Sequence, residues 1–394
     1  MPRKIIHLDL DAFFCAVEEK RNSELHARPF AVGGKPNERG VVSSCSYAAR
    51  VFGVRSAMPM AKALRLCPEL RIVSPDHAAY HQESEKVMSL LRTITPLVEQ
   101  ISVDEAFLEV TDLPEPSEAI ARRIQMAIRT EFNLPCSLGA ATNKLVAKIA
   151  NDVGKSRNKS AEPPNAITVV PPGQEAAFLA DLPVITLWGV GPKTAARLQE
   201  LGIYFIRDLT TWPEPELRRQ FGKPGTDLYN HARGLDDSPV VTSHETKSIS
   251  QEVTFTRDTA DEDFLRHTLR QQADNLGKHL RQENLYCKTV KLKLRWSDFT
   301  TLTRQITMPQ TTNQAEEIFN AAIQLFQRNW PKHTPVRLLG LGVSSLETAG
   351  RQLSLWETPS ERSQQLSQAM DELQQRFGRQ AIKRGVKHEK SDTR

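Results

Sequence analysis

Two acidic segments of this chain sit where acids are hardest to accommodate. Asp104 and Glu105 are adjacent and flanked by Ile101, Val103, Ala106, Phe107 and Leu108. Asp9 lies between Leu8 and Leu10 in a stretch, Lys4 to Asp11, that alternates apolar with polar residues. Such flanks read as strands that pack into a core, and a carboxylate carried into a core is costly unless a positive charge meets it. Any fold of this chain has to supply that charge or hold these acids at a wet edge.

Two readings of the acids stand at this point. In one, Asp104-Glu105 is a hairpin turn and Asp9 a solvated strand residue. In the other, acids from two strands converge on divalent cations. Hard ions such as Mg²⁺ take carboxylate oxygens together with substrate phosphates. A pair of them activates an attacking hydroxyl and stabilises a leaving pyrophosphate.

The rest of the pattern sets the domain organisation. The first strand runs into a helix from Ala12 to Glu19, and strands at Leu97–Val103 and Ala106–Val110 bracket the acid pair. Residues 20–77, rich in Gly, Pro and Arg, read as a small insertion. Ile120, Ile124 and Ile128 recur every fourth residue, which predicts an amphipathic helix over 118–132. Residues 156–165 are a loop, 175–233 are helical, and 234–246 read as a linker. Strands near 249–255, 288–297, 300–308 and 336–346 with helices at 262–285 and 314–329 predict a four-stranded α+β domain. A chain of 394 residues is expected to form two to four domains.

The bulk properties exclude little. A net charge of +5 permits a polyanionic partner without demanding one. Five scattered cysteines with no C-x-x-C pair argue against a zinc site or disulfide framework. No apolar run reaches the ~18 residues of a membrane span, so a cytoplasmic protein with no membrane partner is expected.

Four ordered motifs narrow this. Ile5-Ile6-His7-Leu8-Asp9-Leu10-Asp11-Ala12-Phe13-Phe14, Ser46-Tyr47-Ala48-Ala49-Arg50-Val51-Phe52-Gly53, Ser102-Val103-Asp104-Glu105-Ala106-Phe107 and Asn143-Lys144-Leu145-Val146-Ala147-Lys148-Ile149-Ala150 resemble the motifs of Y-family DNA polymerases, most of all the DNA polymerase IV (DinB) branch. The resemblance runs from residue 4 to about 347. It implies an α/β and α+β multidomain right hand: palm at 1–19 and 78–165, fingers at 20–77, thumb at 166–235, a linker at 236–246, and an added little finger at 247–347. It implies template-directed, low-fidelity addition of dNTPs to a primer, translesion in type, by a monomer.

The same resemblance assigns residues. Asp9, Asp104, Glu105 and the Leu10 carbonyl become ligands of two Mg²⁺ ions. Phe14 becomes the steric gate that excludes a 2′-hydroxyl, with Phe13 facing the core. Tyr47, Arg50 and Lys155 become triphosphate contacts, and a hydroxyl and a guanidinium fork suit phosphate oxygens. After Lys155 the family continues Lys-Pro-Asn-Gly, whereas this chain reads Lys155-Ser156-Arg157-Asn158 and appends an insertion. Lys144 and Lys148 are expected to face DNA.

Duplex binding is expected at two further places. Trp188-Gly189-Val190-Gly191-Pro192-Lys193 resembles a helix-hairpin-helix, in which Gly189, Gly191 and Lys193 approach a phosphate. Period-2 spacing puts Lys291, Lys293 and Arg295 on one strand face and Val290, Leu292, Leu294 and Trp296 on the other. A charged face is usually solvated; beside a polymerase core, phosphate contact is the better reading. Gln352-Leu353-Ser354-Leu355-Trp356 resembles the peptide that docks bacterial polymerases on the sliding clamp. Leu366, Met370, Leu373 and Phe377 predict an amphipathic helix near 363–378. A catalytically dead accessory protein and a nucleotidyl cyclase on a similar palm are the rivals. The first is expected to lack the acids, and the second has no use for duplex-binding elements.

Overall fold

The computed structural model describes residues 2–348, 369–373 and 376–378. The chain divides into two units, Met1–His244 and Glu245–Arg394.

Along the first unit run β1 (Ile5–Leu10), α1 (Phe13–Arg21), β2 (Phe30–Gly33), β3 (Val42–Cys45), α2 (Tyr47–Val51), α3 (Met60–Leu66), β4 (Arg71–Val73), α4 (His77–Ile94), β5 (Val98–Gln100), β6 (Glu105–Glu109), α5 (Ser117–Phe132), β7 (Cys136–Ala141), α6 (Lys144–Ser156) and β8 (Ile167–Val169). Five short helices follow: α7 (Glu175–Ala180), α8 (Pro192–Glu200), α9 (Ile206–Thr210), α10 (Glu214–Phe221) and α11 (Lys223–His231). The central sheet has the order β5-β6-β1-β7-β8, and β3-β2-β4 form a separate three-stranded sheet.

β1 is central, with antiparallel neighbours on both sides. Its even residues, Ile6, Leu8 and Leu10, pack in a core shared with Val87, Leu91, Ile120, Ile124 and Ile128 of α4 and α5. Its odd residues face α6. The alternation Ile-His-Leu-Asp-Leu is the pattern of a half-buried strand, but here the polar face is covered as well. His7 and Asp11 are fully buried because α6 covers the polar face. α6 is seated hard against the sheet at Gly139, where an added Cβ would lie 2.0 Å from the Ala147 carbonyl oxygen. Its first turn is closed by Asn143, whose side chain accepts from the Val146 amide.

The expected strand 97–103 is shorter than the apolar pattern implied, β5 ending at Gln100. Ser102 explains this: its hydroxyl accepts from the Asp104 and Glu105 amides (3.2 and 3.0 Å) and donates to Asp104 Oδ1. A serine that bonds the following backbone turns the chain instead of extending it.

The second unit contains β9 (Ser248–Thr259), α12 (Glu262–Gln282), β10 (Tyr286–Trp296), β11 (Thr301–Thr312), α13 (Ala315–Asn329) and β12 (Val336–Glu347). Its antiparallel sheet has the order β11-β10-β12-β9. One face packs on α12 and α13 through Val290, Leu292, Leu294, Leu276 and Phe326. Residues 352–356, the expected clamp peptide, lie outside the described residues; of the helix expected near 363–378, residues 369–373 are helical. No helix among the described residues is long and apolar enough to cross a membrane.

Candidate active site

Antiparallel register brings the acids together. Asp9 of β1 is the direct partner of Glu105 of β6. The Leu10 amide donates to the Asp104 carbonyl at 2.9 Å, which places the Ser102 turn beside the end of β1. Since sheet side chains alternate, Asp9, Glu105, His7 and Phe107 share the face under α6.

That helix answers the acids with a stripe. Lys144, Lys148, Asn151 and Lys155 recur at spacings of four, three and four, one side of a helix. Lys155 Nζ lies 2.5 Å from Asp9 Oδ1 and 3.3 Å from Asp11 Oδ1. Lys148 Nζ lies 3.2 and 3.1 Å from the two oxygens of Glu105. The backbone thus converges the three acids, while their side chains are separately engaged: Asp9 with Lys155, Glu105 with Lys148, Asp104 with Ser102. Among the described residues no carboxylate cluster is drawn into a common coordinating arrangement. For two of the acids the reason is electrostatic, because Asp9 and Glu105 each take the nearest ammonium, while Asp104 is held by the Ser102 hydroxyl.

The titration behaviour follows. Burial, reinforced by Glu105 and Asp104, pushes Asp9 up to about 7 in spite of Lys155. The His7 ring and Lys148 hold Glu105 down at about 2 against its burial. Burial works against the Lys155 charge, but Asp9 and Asp11 keep its pKa above the usual lysine value.

Asp11, which the sequence reading did not single out, anchors the rim. It is fully buried and accepts from the Ser137 hydroxyl at 2.8 and 3.0 Å and from the Asn165 amide at 3.2 Å. The unusual loop after Lys155 is therefore pinned at its far end. Next to it, Ala12 adopts a left-handed conformation (φ 47°) that turns β1 straight into α1. A non-glycine residue held there is strained and is kept in place by its surroundings.

Phe13 is buried in the core, whereas Phe14 is partly exposed. The Phe14 ring stacks on Tyr80 (centroids 4.2 Å, planes 13° apart), and His77 meets it edge-on. Tyr80 donates to Glu18 Oε1 at 2.8 Å, so the platform beneath Phe14 is itself fixed. Arg50 lies over the Tyr47 ring at 4.3 Å and donates Nε–H to the Cys45 carbonyl. The Tyr47 hydroxyl is buried without a hydrogen-bond partner among the described residues.

Lys144, expected to face DNA, is buried: it donates to Glu99 Oε2 at 2.7 Å and to the Pro239 carbonyl, and lies 5.2 Å from the Phe107 ring centre. Glu99 also accepts from the Val241 amide. This buried pair fastens the segment after α11 to the central sheet.

Gly189 has φ 92° and Gly191 caps α8; an added Cβ would meet nothing within 4 Å at either, so the backbone there is open to approach. Lys193 is exposed. In the second unit Lys291 is exposed, Lys293 is paired with Glu252 at 2.7 Å, and Arg295 Nε donates to Thr301 Oγ1 at 2.9 Å. The cationic side of β10 is the side away from α12 and α13.

Comparison with known proteins agrees with this geometry. The impB/mucB/samB family matches residues 8–152 and its C-terminal domain residues 246–355; the thumb domain of DNA polymerase iota matches residues 182–236. The chain is 40% identical over 348 residues to DNA polymerase IV of Listeria monocytogenes serotype 4b, covering 88% of this chain and 96% of that protein. It is 40% identical over 381 residues to DNA polymerase IV of Desulfatibacillum aliphaticivorans, with 95% and 94% coverage. Among solved structures, a Y-family DNA polymerase chimera of Dbh and Dpo4 superposes with a TM-score of 0.78 at 25% identity, covering 88% of this chain and all of the chimera. Similarity on this scale, across both units, shows that the chain belongs to the impB/mucB/samB family, the Y family of DNA polymerases, on its DNA polymerase IV branch.

Proposed function

We propose that this chain extends a primer on a DNA template with Asp9, Asp104, Glu105 and the Leu10 carbonyl holding two Mg²⁺ ions. It is a DNA-directed DNA polymerase of low-fidelity, translesion type. The observation that carries the site assignment is the pairing of Asp9 with Glu105 beside the Asp104 turn, with two lysines already neutralising them. Half-buried acids that draw in two ammonium groups have the charge and the hard oxygen donors that divalent cations need, so the residues fit the ions. When bound, such ions activate the primer hydroxyl and stabilise the leaving pyrophosphate.

The chain's own residues do the positioning. Lys155, in the last turn of α6, exchanges its carboxylate partners for triphosphate oxygens. Tyr47 and Arg50 stand beside it, and the unpartnered Tyr47 hydroxyl is a donor in waiting for the same phosphates. Phe14, backed by Tyr80, forms the floor against which a deoxyribose fits and a ribose does not. Gly189, Gly191 and Lys193 offer amides and a charge to duplex phosphates, and Lys148 offers charge beside Glu105. In the second unit Lys291, Lys293 and Arg295 do the same. The divisions 1–19 and 78–165, 20–77, 166–235 and 247–347 are palm, fingers, thumb and little finger on this reading. Residues 352–356 dock a monomeric enzyme on the sliding clamp in the cytoplasm.

The test is primer extension with Mg²⁺ on damaged and undamaged templates. Asp9→Asn and Glu105→Gln are expected to lower kcat by ~100-fold or more with primer-template affinity retained, in line with losing an interaction made in the transition state. Extension at parental rates by either variant refutes the assignment.

A further inference from the structure

Behind Glu105 lies a histidine that the proposed mechanism does not use. His7 is on β1, two residues before Asp9, and its side chain is wholly buried between the sheet and α6. Its ring lies 4.8 Å from Phe107, its cross-strand neighbour. Nδ1 is 3.0 Å from Asn151 Nδ2, and the same Nδ2 donates to the Ser137 carbonyl at 3.2 Å. A carbonyl oxygen accepts and never donates, so it fixes the Asn151 amide with its NH₂ towards Ser137 and His7. His7 Nδ1 is therefore an acceptor, and the neutral ring carries its proton on Nε2. Nε2 has no hydrogen-bond partner among the described residues, and the nearest anion is Glu105 Oε2 at 3.8 Å.

We infer that His7 is a positioning residue for Glu105: its Nε2–H, aimed by Asn151, holds Oε2 and leaves Oε1 to face a bound cation. This rests on the reading of Glu105 as a metal ligand. Two donors converge on that carboxylate and they differ in kind. Lys148 arrives on a long flexible stem, straddles both oxygens and is exchangeable. His7 is buried on every side, has its other nitrogen fixed, and stays. Buried polar atoms without partners are rare, and one 3.8 Å from a carboxylate oxygen is a hydrogen bond waiting to shorten. Closing 3.8 Å to ~2.9 Å takes ~0.9 Å, a small rotation about the outer bonds of the Glu105 side chain. Histidine used in this way orients a ligand without touching the ion.

The proposal is tested by Mn²⁺ binding, followed by electron paramagnetic resonance on the full chain with primer-template and a nonhydrolysable dNTP. His7→Leu is expected to weaken Mn²⁺ binding ~10-fold. His7→Gln, whose amide nitrogen reaches the place of Nε2, is expected to recover most of the loss, which a purely structural role would not predict. Parental Mn²⁺ affinity in His7→Leu overturns the proposal if Glu105→Gln loses binding. If Glu105→Gln also binds normally, the ligand assignment itself has failed. A measurement without substitution guards against misfolded variants: ¹⁵N spectra of the histidine-labelled chain are expected to show His7 protonated on Nε2 alone, and the Nδ1–H tautomer refutes the inference.

Discussion

Gly139→Ala is a one-methyl test of how the active site is built. A Cβ at this position would lie 2.0 Å from the Ala147 carbonyl oxygen, 2.5 Å from the Asn151 amide nitrogen and 3.1 Å from the Ala147 carbonyl carbon. All of these are backbone atoms of α6, so no rotamer change relieves the contact. An ordinary carbon–oxygen contact is ~3.3 Å, so the helix must retreat by ~1.3 Å or the strand must bend. Overpacking against rigid backbone costs about 3 kcal/mol, the upper end of the usual range. For a unit the size of Met1–His244 this lowers Tm by ~6–12 °C. The same movement draws Lys148 and Lys155 away from Glu105 and Asp9 and shifts Asn151 off His7, so kcat falls with the melting temperature. Differential scanning calorimetry and single-turnover primer extension measure the two effects. A variant that melts within ~1 °C of the parent and keeps its kcat refutes the claim that α6 is seated on Gly139.

The other predictions concern charge and shape. Asp9 binds a proton more tightly folded, with its value near 7, than unfolded, near 3.8, so its contribution is fully present below pH ~4 and is lost as pH rises to ~7. Asp9→Asn removes that slope: its Tm relative to the parent is expected to climb between pH 4 and 7, and a pH-independent difference contradicts the assignment. Glu105 acts in the opposite sense, adding stability as pH rises through its depressed value of about 2 towards 4.5, and so leaves the upper window to Asp9. Phe14→Val is expected to reduce discrimination against ribonucleotides ~100-fold in primer extension, and unchanged sugar selection refutes the gate. Alanine at Lys291, Lys293 and Arg295 together is expected to lower the slope of log K against log salt for primer-template binding by ~2–3; an unchanged slope means the face is only solvated.

Much of this was legible from residue order. Asp9 and Asp104-Glu105 stood out because acids inside apolar strands need an explanation, and Phe14, Tyr47 and Arg50 came with the motifs around them. The four-stranded second unit was visible in its strand and helix periods. The expectation for Lys144 came with the resemblance, and nothing local in the sequence shows that Glu99 lies beside it. His7 and Asp11 were in view as the polar half of β1, but alternation distinguishes two faces of a strand without telling which covering each receives. Tyr80 carried no local signal, whereas the stripe Lys144, Lys148, Asn151, Lys155 is the pattern that could have pointed to Asn151.

What the amino-acid order determines by itself is the set of elements and the chemical types they carry, because helix and strand periods, capping residues and turn residues act over a few positions. Which charge meets which is decided by register and layering. The pairing of Asp9 with Glu105, the seating of α6 on Gly139, and hence the meeting of Lys155 with Asp9 and of Asn151 with His7, depend on strands and a helix from distant parts of the chain stacking at one offset. Coulomb and hydrogen-bond energies change steeply over an ångström in a buried site, and distances of that order exist only once the layers are packed.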